Sequence, residues 1–127
     1  MKYLSDYVQD KLNALFELHG AFYAFSQEQF DKAHIEGVEY VSMGSGLVVR
    51  KGEEQAIIDG FSKIEKEGIQ EDIADNGIPA IILRELKNHE CFYTGDISDV
   101  VEALKNYGVI EVDIRSTYLK NVHELAG

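Results

Sequence analysis

Apolar side chains near the N-terminus recur every three or four residues. The positions concerned are Leu4, Tyr7, Val8, Leu12, Leu15 and Phe16. This spacing predicts an amphipathic helix, with Ser5 as a cap near its start and His19–Gly20 at its end. Ser26 and Gln29 have the spacing of a capping box, which predicts a second, short helix through about Ala33.

Between and after these helices the pattern changes to short β-rich runs. The segment 21–25 is aromatic and lies between Gly20 and Ser26, as strands commonly do. The runs 38–43 and 46–50 meet at a Gly-Ser-Gly sequence, and glycine supplies the positive φ that a tight hairpin turn requires. The sequence therefore predicts a small three-stranded antiparallel sheet from 21–25, 38–43 and 46–50.

The chain after Gly52 has mainly helical periodicity. The stripe Ile57, Phe61 and Ile64 predicts a helix that Gly68 ends, and Pro79 is placed where the first turn of a helix tolerates proline. The predicted helical segments are 53–67, 69–75, 79–89, 96–107 and 111–123, the last of which would also suit a strand. We expect an α+β fold in which the sheet packs with four to six helices and the second half is mainly helical.

Composition narrows the class of protein. With 127 residues, 45% of them hydrophobic, we expect a single domain over 1–127 with a substantial core. Cys91 is the single cysteine, which excludes an internal disulfide and fits a reducing compartment. Residues 1–6 contain no apolar segment of a signal peptide, and the apolar run 78–83 is far shorter than a membrane span. These features predict a cytoplasmic protein.

Negative charge is concentrated in one part of the chain. The formal net charge is −11, and the stretch from Glu53 to Asp75 holds eight acidic residues against Lys63 and Lys66, a local net charge of −6. Such a surface repels nucleic acid and anionic lipid and attracts basic protein surfaces. The predicted partner-binding residues are Glu53, Glu54, Glu65, Glu67, Glu71, Asp72 and Asp75. The alternative is a solvated helix face that only maintains solubility.

Several short motifs lie outside the acidic stretch. Glu85 and His89 are four residues apart on a predicted helix, with Glu90 next to them, but a metal site needs three or four ligands. A structural histidine bonded to Glu85 is the simpler interpretation. The Gly-Ser-Gly sequence at 44–46 lacks the lysine of a phosphate-binding P-loop.

The two remaining candidate motifs also have simple structural interpretations. We interpret Cys91 as a small buried residue, since no third group is placed to complete a catalytic set with His89. We interpret Asp96 as a helix cap. The sequence thus predicts no catalytic residue, metal or cofactor.

Three segments carry a resemblance to known proteins: Glu85-Leu86-Lys87-Asn88-His89-Glu90-Cys91-Phe92-Tyr93-Thr94-Gly95-Asp96, Val101 to Gly108, and Ala24-Phe25-Ser26-Gln27-Glu28-Gln29-Phe30. They resemble small uncharacterised proteins of bacteriophages and related mobile elements. The resemblance implies an accessory protein that acts inside a bacterium. Small acidic phage proteins are often inhibitors of host defence, including anti-CRISPR and antirestriction proteins, some of which mimic nucleic acid. The resemblance implies no functional residues in this chain.

The leading hypothesis is therefore a non-enzymatic inhibitor that docks on a basic surface of a host nucleic-acid-handling protein. Its carboxylates would take the place of phosphates, and the protein itself would bind neither nucleic acid nor membrane. The alternatives are a metal- or nucleotide-dependent hydrolase or ligand-binding protein that uses Glu85, His89 and Glu90, and a homo-oligomeric interaction module.

Overall fold

A computed structural model describes residues 1–125 of the chain. The elements, in chain order, are α1 (Leu4–His19), β1 (Phe22–Tyr23), α2 (Gln27–Ala33), β2 (Tyr40–Gly44), β3 (Leu47–Arg50), α3 (Glu54–Asn76), α4 (Ile78–Asn88), α5 (Cys91–Thr94), α6 (Ser98–Ala103), a 3-10 helix (Lys105–Tyr107) and α7 (Glu111–Leu125). The strands form an antiparallel sheet in the order β1-β3-β2. The predicted α+β fold with a helical second half is confirmed.

The chain divides into two compact units, unit 1 (Met1–Gly68) and unit 2 (Ile69–Gly127). Unit 1 contains the whole sheet with the helices of the first half, and the described residues of unit 2 form only helices and the loops between them. The single domain over 1–127 stays a prediction. Within residues 1–125, no helix is both long and apolar enough to cross a membrane.

The predicted hairpin is present as β2 and β3. Ser45 and Gly46 connect the strands with φ values of 53° and 83°, the positive values of a tight two-residue turn. Val41 lies opposite Val49, and the register shifts at a bulge between Ser42 and Gly44. β1 holds only Phe22 and Tyr23 of the predicted 21–25, and β2 begins at Tyr40 instead of residue 38, whereas β3 ends at Arg50 as predicted.

Both faces of the sheet in unit 1 contact helices. Phe22 and Tyr23 point to opposite faces because neighbouring strand residues alternate. The ring of Phe22 packs near Phe30 of α2, at a centroid distance of 6.0 Å. The ring of Tyr23 meets Phe16 of α1 edge-on at 5.5 Å. On that second side Leu47, Val49 and Ile57 of α3 form a small buried core together with Ala21.

Two predicted helix termini are wrong in detail. The N-cap of α1 is Tyr3 instead of Ser5, and its amide donates to Asp6 Oδ2 at 2.8 Å. Gly68 does not end a helix, because α3 continues to Asn76. Gly60 and Gly68 instead face α1, where an added Cβ would collide with Leu15 and Val8, respectively. These two glycines allow close helix packing.

Unit 2 has a larger core. Its fully or nearly buried residues are Ile81, Ile82, Leu86, Cys91, Phe92, Ile97, Val100, Leu104, Val109 and Ile114. The segment 111–123, which the sequence left open between helix and strand, belongs to α7. Ile114 reaches the core, and Tyr118 stacks on Phe92 with ring centroids 5.4 Å apart. The described part of the chain contains seven α-helices, above the expected four to six. The predicted segments 53–67 and 69–75 form the single helix α3, and Cys91–Thr94 forms a separate helix that was not predicted.

Candidate functional site

The seven predicted partner-binding carboxylates lie at or within α3, but their environments differ. Glu65, Glu71 and Asp75 are exposed, and Glu53, Glu54 and Glu67 are half-buried, whereas Asp72 is buried. The residues from Glu53 to Glu67 belong to unit 1, and those from Glu71 to Asp75 belong to unit 2. Six of the seven carboxylates are therefore at least partly accessible to solvent.

The half-buried carboxylates of unit 1 have local partners. Glu53 Oε2 lies 2.8 Å from His19 Nδ1, at the end of α1. Glu67 Oε2 lies 3.8 Å from Lys11 Nζ. The Glu54 side chain accepts a hydrogen bond from the amide of Gly52, just before α3 begins. These contacts also attach α1 and the preceding loop to α3, so the three residues have a structural role.

Asp72 was expected on the surface and is instead fully buried in unit 2. Arg84 of α4 forms a two-pronged ion pair with it, from Nη1 to Oδ1 at 2.9 Å and from Nη2 to Oδ2 at 3.0 Å. Tyr107 Oη donates to Oδ2 at 2.5 Å, and Asn76 Nδ2 donates to Oδ1 at 2.9 Å. A carboxylate surrounded in this way is not available to a partner protein.

Asp72, Arg84, Tyr107 and Asn76 form a network, the Asp72 network, in which hydrogen bonds keep the buried Asp72 and Arg84 charged. Burial by itself would raise the pKa of Asp72, but hydrogen bonds from Arg84, Tyr107 and Asn76 outweigh burial and hold that pKa below its usual range. Burial, followed by the hydrogen bond to Asp72, raises the pKa of Tyr107. Burial opposes the charge of Arg84, but hydrogen bonds to Asp72 and Glu85 raise its pKa. The network therefore keeps a charged pair inside unit 2.

Sequence reasoning missed Arg84 and Tyr107, although one signal was present. Arg84 lies within the apolar stretch of α4 that contains the buried Ile81, Ile82 and Leu86. A charged residue within such a stretch requires a buried partner of opposite charge. The partner itself could not be read from the sequence, because Asp72 belongs to another helix.

Glu85 and His89 share a helix face, as their spacing predicted. His89 Nε2 lies 3.5 Å from Glu85 Oε2, and Glu85 Oε1 accepts a hydrogen bond from Arg84 Nε at 2.9 Å. Glu90 follows in the left-handed backbone conformation, with φ at 56°. Within residues 1–125, no three His, Cys, Asp or Glu side chains are grouped so that they could hold a metal ion. Glu85 thus serves as an extension of the buried network.

The remaining sequence motifs have structural roles. Cys91 is fully buried, and burial, followed by the charges of Asp96 and Asp99, raises the pKa of its thiol, the opposite of what a nucleophile requires. Asp96 Oδ1 accepts a hydrogen bond from the amide of Ser98 at 2.9 Å. Hydrogen bonds from Ser98 also lower the pKa of Asp96. Asp96 thus binds the first amide of α6, but the N-cap position itself is Ile97 and not the predicted Asp96.

The comparisons with known proteins identify a family but no activity. The chain belongs to a family of unknown function, DUF7659, whose match covers residues 4–126. No match was found among the curated proteins. No solved structure matched either.

Proposed function

We propose that this chain, a member of a family without an assigned activity, is a non-enzymatic protein that binds a basic surface of another protein. The partner would be a nucleic-acid-handling protein, whose basic surface the carboxylates of α3 would occupy in place of phosphates. Proteins contact phosphates mainly through Lys and Arg, and carboxylates accept the same charge-assisted hydrogen bonds.

The observation that carries this proposal is the exposure of acidic side chains along α3. Asp59, Glu65, Glu71 and Asp75 are all exposed, in a chain with a net charge of −11. Charge of this sign repels nucleic acid and draws in basic surfaces over a Debye length of about 8 Å at physiological salt. Asp72 is left out of the proposed surface, because Arg84 holds it inside unit 2.

The cellular role that we propose is that of an accessory protein of a phage or mobile element that inhibits a host defence protein. Support for this role comes from the resemblance at Glu85 to Asp96 and from the acidic character of the chain. Homo-oligomerisation is compatible with it, since a symmetric assembly would repeat the same acidic surface.

The test is affinity capture of partners from a bacterial lysate at about 0.15 M and about 0.5 M salt, with identification by mass spectrometry. The captured partner is then titrated with the double variant Glu71→Lys/Asp75→Lys. We expect the affinity to fall at least about tenfold, because each exposed charge pair contributes about 0.2–1 kcal/mol and reversal makes it repulsive. We also expect the affinity of the unchanged protein to fall steeply with salt.

A matched variant distinguishes an effect of the carboxylates of α3 from an effect of net charge alone. Glu17→Lys/Glu36→Lys makes the same change in charge at two exposed positions outside α3. This control should bind nearly as tightly as the unchanged protein. If both double variants lose affinity equally, only the overall charge matters. If the Glu71/Asp75 variant binds normally at physiological salt, the proposed surface is wrong.

A further inference from the structure

Unit 1 displays two large aromatic side chains at the end of the first strand. Tyr23 is 49% exposed and Phe25 is 72% exposed. Their rings are parallel to within 3°, with centroids 6.1 Å apart. Scattered exposed apolar residues are ordinary in soluble proteins, but aromatic side chains are enriched in protein interfaces.

The fold holds both rings in place. The ring of Tyr23 meets Phe16 of α1 edge-on, and Phe16 in turn meets Phe61 of α3 at 5.6 Å. The Phe25 ring lies directly against Gly46 in the hairpin turn, where a Cβ would collide with it. The amide of Phe25 donates to Gln29 Oε1 at 2.7 Å, which fixes the backbone before α2. The pair is therefore preorganised, so binding would cost little conformational entropy.

Aromatic faces attract cations because the ring quadrupole places negative charge above and below the ring. The chain itself uses this interaction at α1, where Lys2 Nζ lies 5.4 Å from the centroid of the Tyr7 ring. Among residues 1–125, no Lys or Arg side chain lies over Tyr23 or Phe25. Both side chains are exposed, so a cation from another molecule can reach their rings.

We infer that Tyr23 and Phe25 form a docking platform for arginine side chains of a basic protein partner. The inference rests on the proposed function, since the acidic character of the chain selects a basic partner. Arginine fits better than lysine, because the guanidinium is planar, more weakly hydrated and stacks on aromatic rings. The net negative charge of the chain attracts lysine and arginine alike. The platform would add selectivity for arginine.

The test measures selectivity with two defined probes, a ten-residue arginine peptide and a ten-residue lysine peptide, by calorimetric titration. Arginine binds carboxylates better in any case, so the informative quantity is the ratio of the two affinities in each variant. Phe25→Leu and Tyr23→Leu keep an apolar side chain but remove the ring. We expect each to lower the Arg-to-Lys ratio by about two- to fivefold, the size of an exposed cation–π contact.

Tyr93→Leu is the matched control, because it removes an exposed aromatic ring from unit 2, where Tyr93 is 93% exposed. The ratio should be unchanged in this variant, whereas Glu71→Lys/Asp75→Lys should weaken the binding of both peptides. In NMR spectra, the ring signals of Tyr23 and Phe25 should shift with the arginine peptide more than with the lysine peptide.

Each negative result of this test contradicts a different part of the inference. An Arg-to-Lys ratio that stays constant in Phe25→Leu and Tyr23→Leu, in variants whose thermal melts show a normal fold, overturns the platform alone. A similar fall in the ratio for Tyr93→Leu also overturns it, because any exposed ring would then suffice. If neither peptide binds the unchanged protein, the platform and the proposed basic partner fail together. A self-association of the chain that Phe25→Leu abolishes would show that the rings bind a second copy instead.

Discussion

Unit 1 and unit 2 differ in how completely they cover their apolar side chains. Unit 2 has a helical core of ten buried apolar residues from Ile81 to Ile114, and it also buries the Asp72–Arg84 pair. The buried apolar residues of unit 1 are Ala21, Leu47, Val48, Val49 and Ile57, and neither α1 nor α2 contributes a buried residue. Because burial of apolar area is the main source of stability, unit 2 should resist unfolding more strongly than unit 1.

This difference in the covering of apolar side chains also affects which unit can bind a partner. An incompletely covered unit retains apolar surface that a partner can cover, and the stacked Tyr23 and Phe25 lie in unit 1. In unit 2, the ionic groups that interact most strongly face inward, where they stabilise the fold. Acidic residues close together in the sequence thus have different roles, and the following substitutions test that distinction.

The largest effect should come from removing one member of the buried pair. Arg84→Ala leaves Asp72 without its cation in the interior, which we expect to destabilise unit 2 by about 3–5 kcal/mol. The measurement is urea unfolding together with the rate at which a thiol reagent labels the buried Cys91. The apolar double variant Asp72→Leu/Arg84→Met should recover most of this loss, since no buried charge then remains. A small effect of Arg84→Ala would mean that water reaches Asp72.

The second-largest effect compares the stability lost on truncating a core residue of unit 2 with that lost on truncating a half-buried residue of unit 1. Leu86→Ala creates a cavity in the core of unit 2 and should cost about 2–5 kcal/mol, since Leu86 is fully buried. Leu12→Ala in α1 removes the same atoms from a half-buried position. Its cost should be about 1 kcal/mol, as is typical of a point substitution. Equal losses in urea unfolding would contradict the contrast between the units.

Acid should weaken unit 2 through Asp72. The pKa of Asp72 is lower in the folded state than in the unfolded chain, where it is about 3.9. The charged form therefore contributes stability above about pH 4, and this contribution is lost as the pH falls through the folded-state pKa. Asp72→Asn should flatten the acid side of the stability profile relative to the unchanged protein. Parallel profiles in urea unfolding between pH 2 and pH 6 would rule out this contribution.

The smallest effect concerns the two glycines of α3 in unit 1. Alanine gains about 1 kcal/mol in helix propensity over glycine, but at Gly68 its Cβ would collide with the stiff, β-branched Val8. Overpacking costs about 1–3 kcal/mol, so Gly68→Ala should be slightly destabilising in thermal melts. At Gly60 the obstacle is the flexible end of Leu15, so Gly60→Ala should be nearly neutral. Rescue of Gly68→Ala by Val8→Ala would identify the contact responsible.

Features that depend on neighbouring residues followed from the sequence. The hairpin at Ser45–Gly46 needs only a local positive φ, and the cap at Ser26 needs only the amide of Gln29, whose hydrogen bond is 3.2 Å long. The apolar stripe of α4 and the link between Glu85 and His89 follow from helical periodicity. For the same reason the α+β class and the helical second half were predictable.

Features that depend on distant contacts did not follow from the sequence. Gly68 has the sequence features of a helix terminus, and only its contact with Val8 of α1 shows that it serves close packing instead. Asp72 has the sequence features of its exposed neighbour Glu71, but Arg84 and Tyr107, the latter 35 residues away, surround it. The sequence by itself determined the approximate positions of most helices and strands, because periodicity and capping are local. Tertiary structure decided which carboxylates face solvent, because burial depends on residues that only folding brings together.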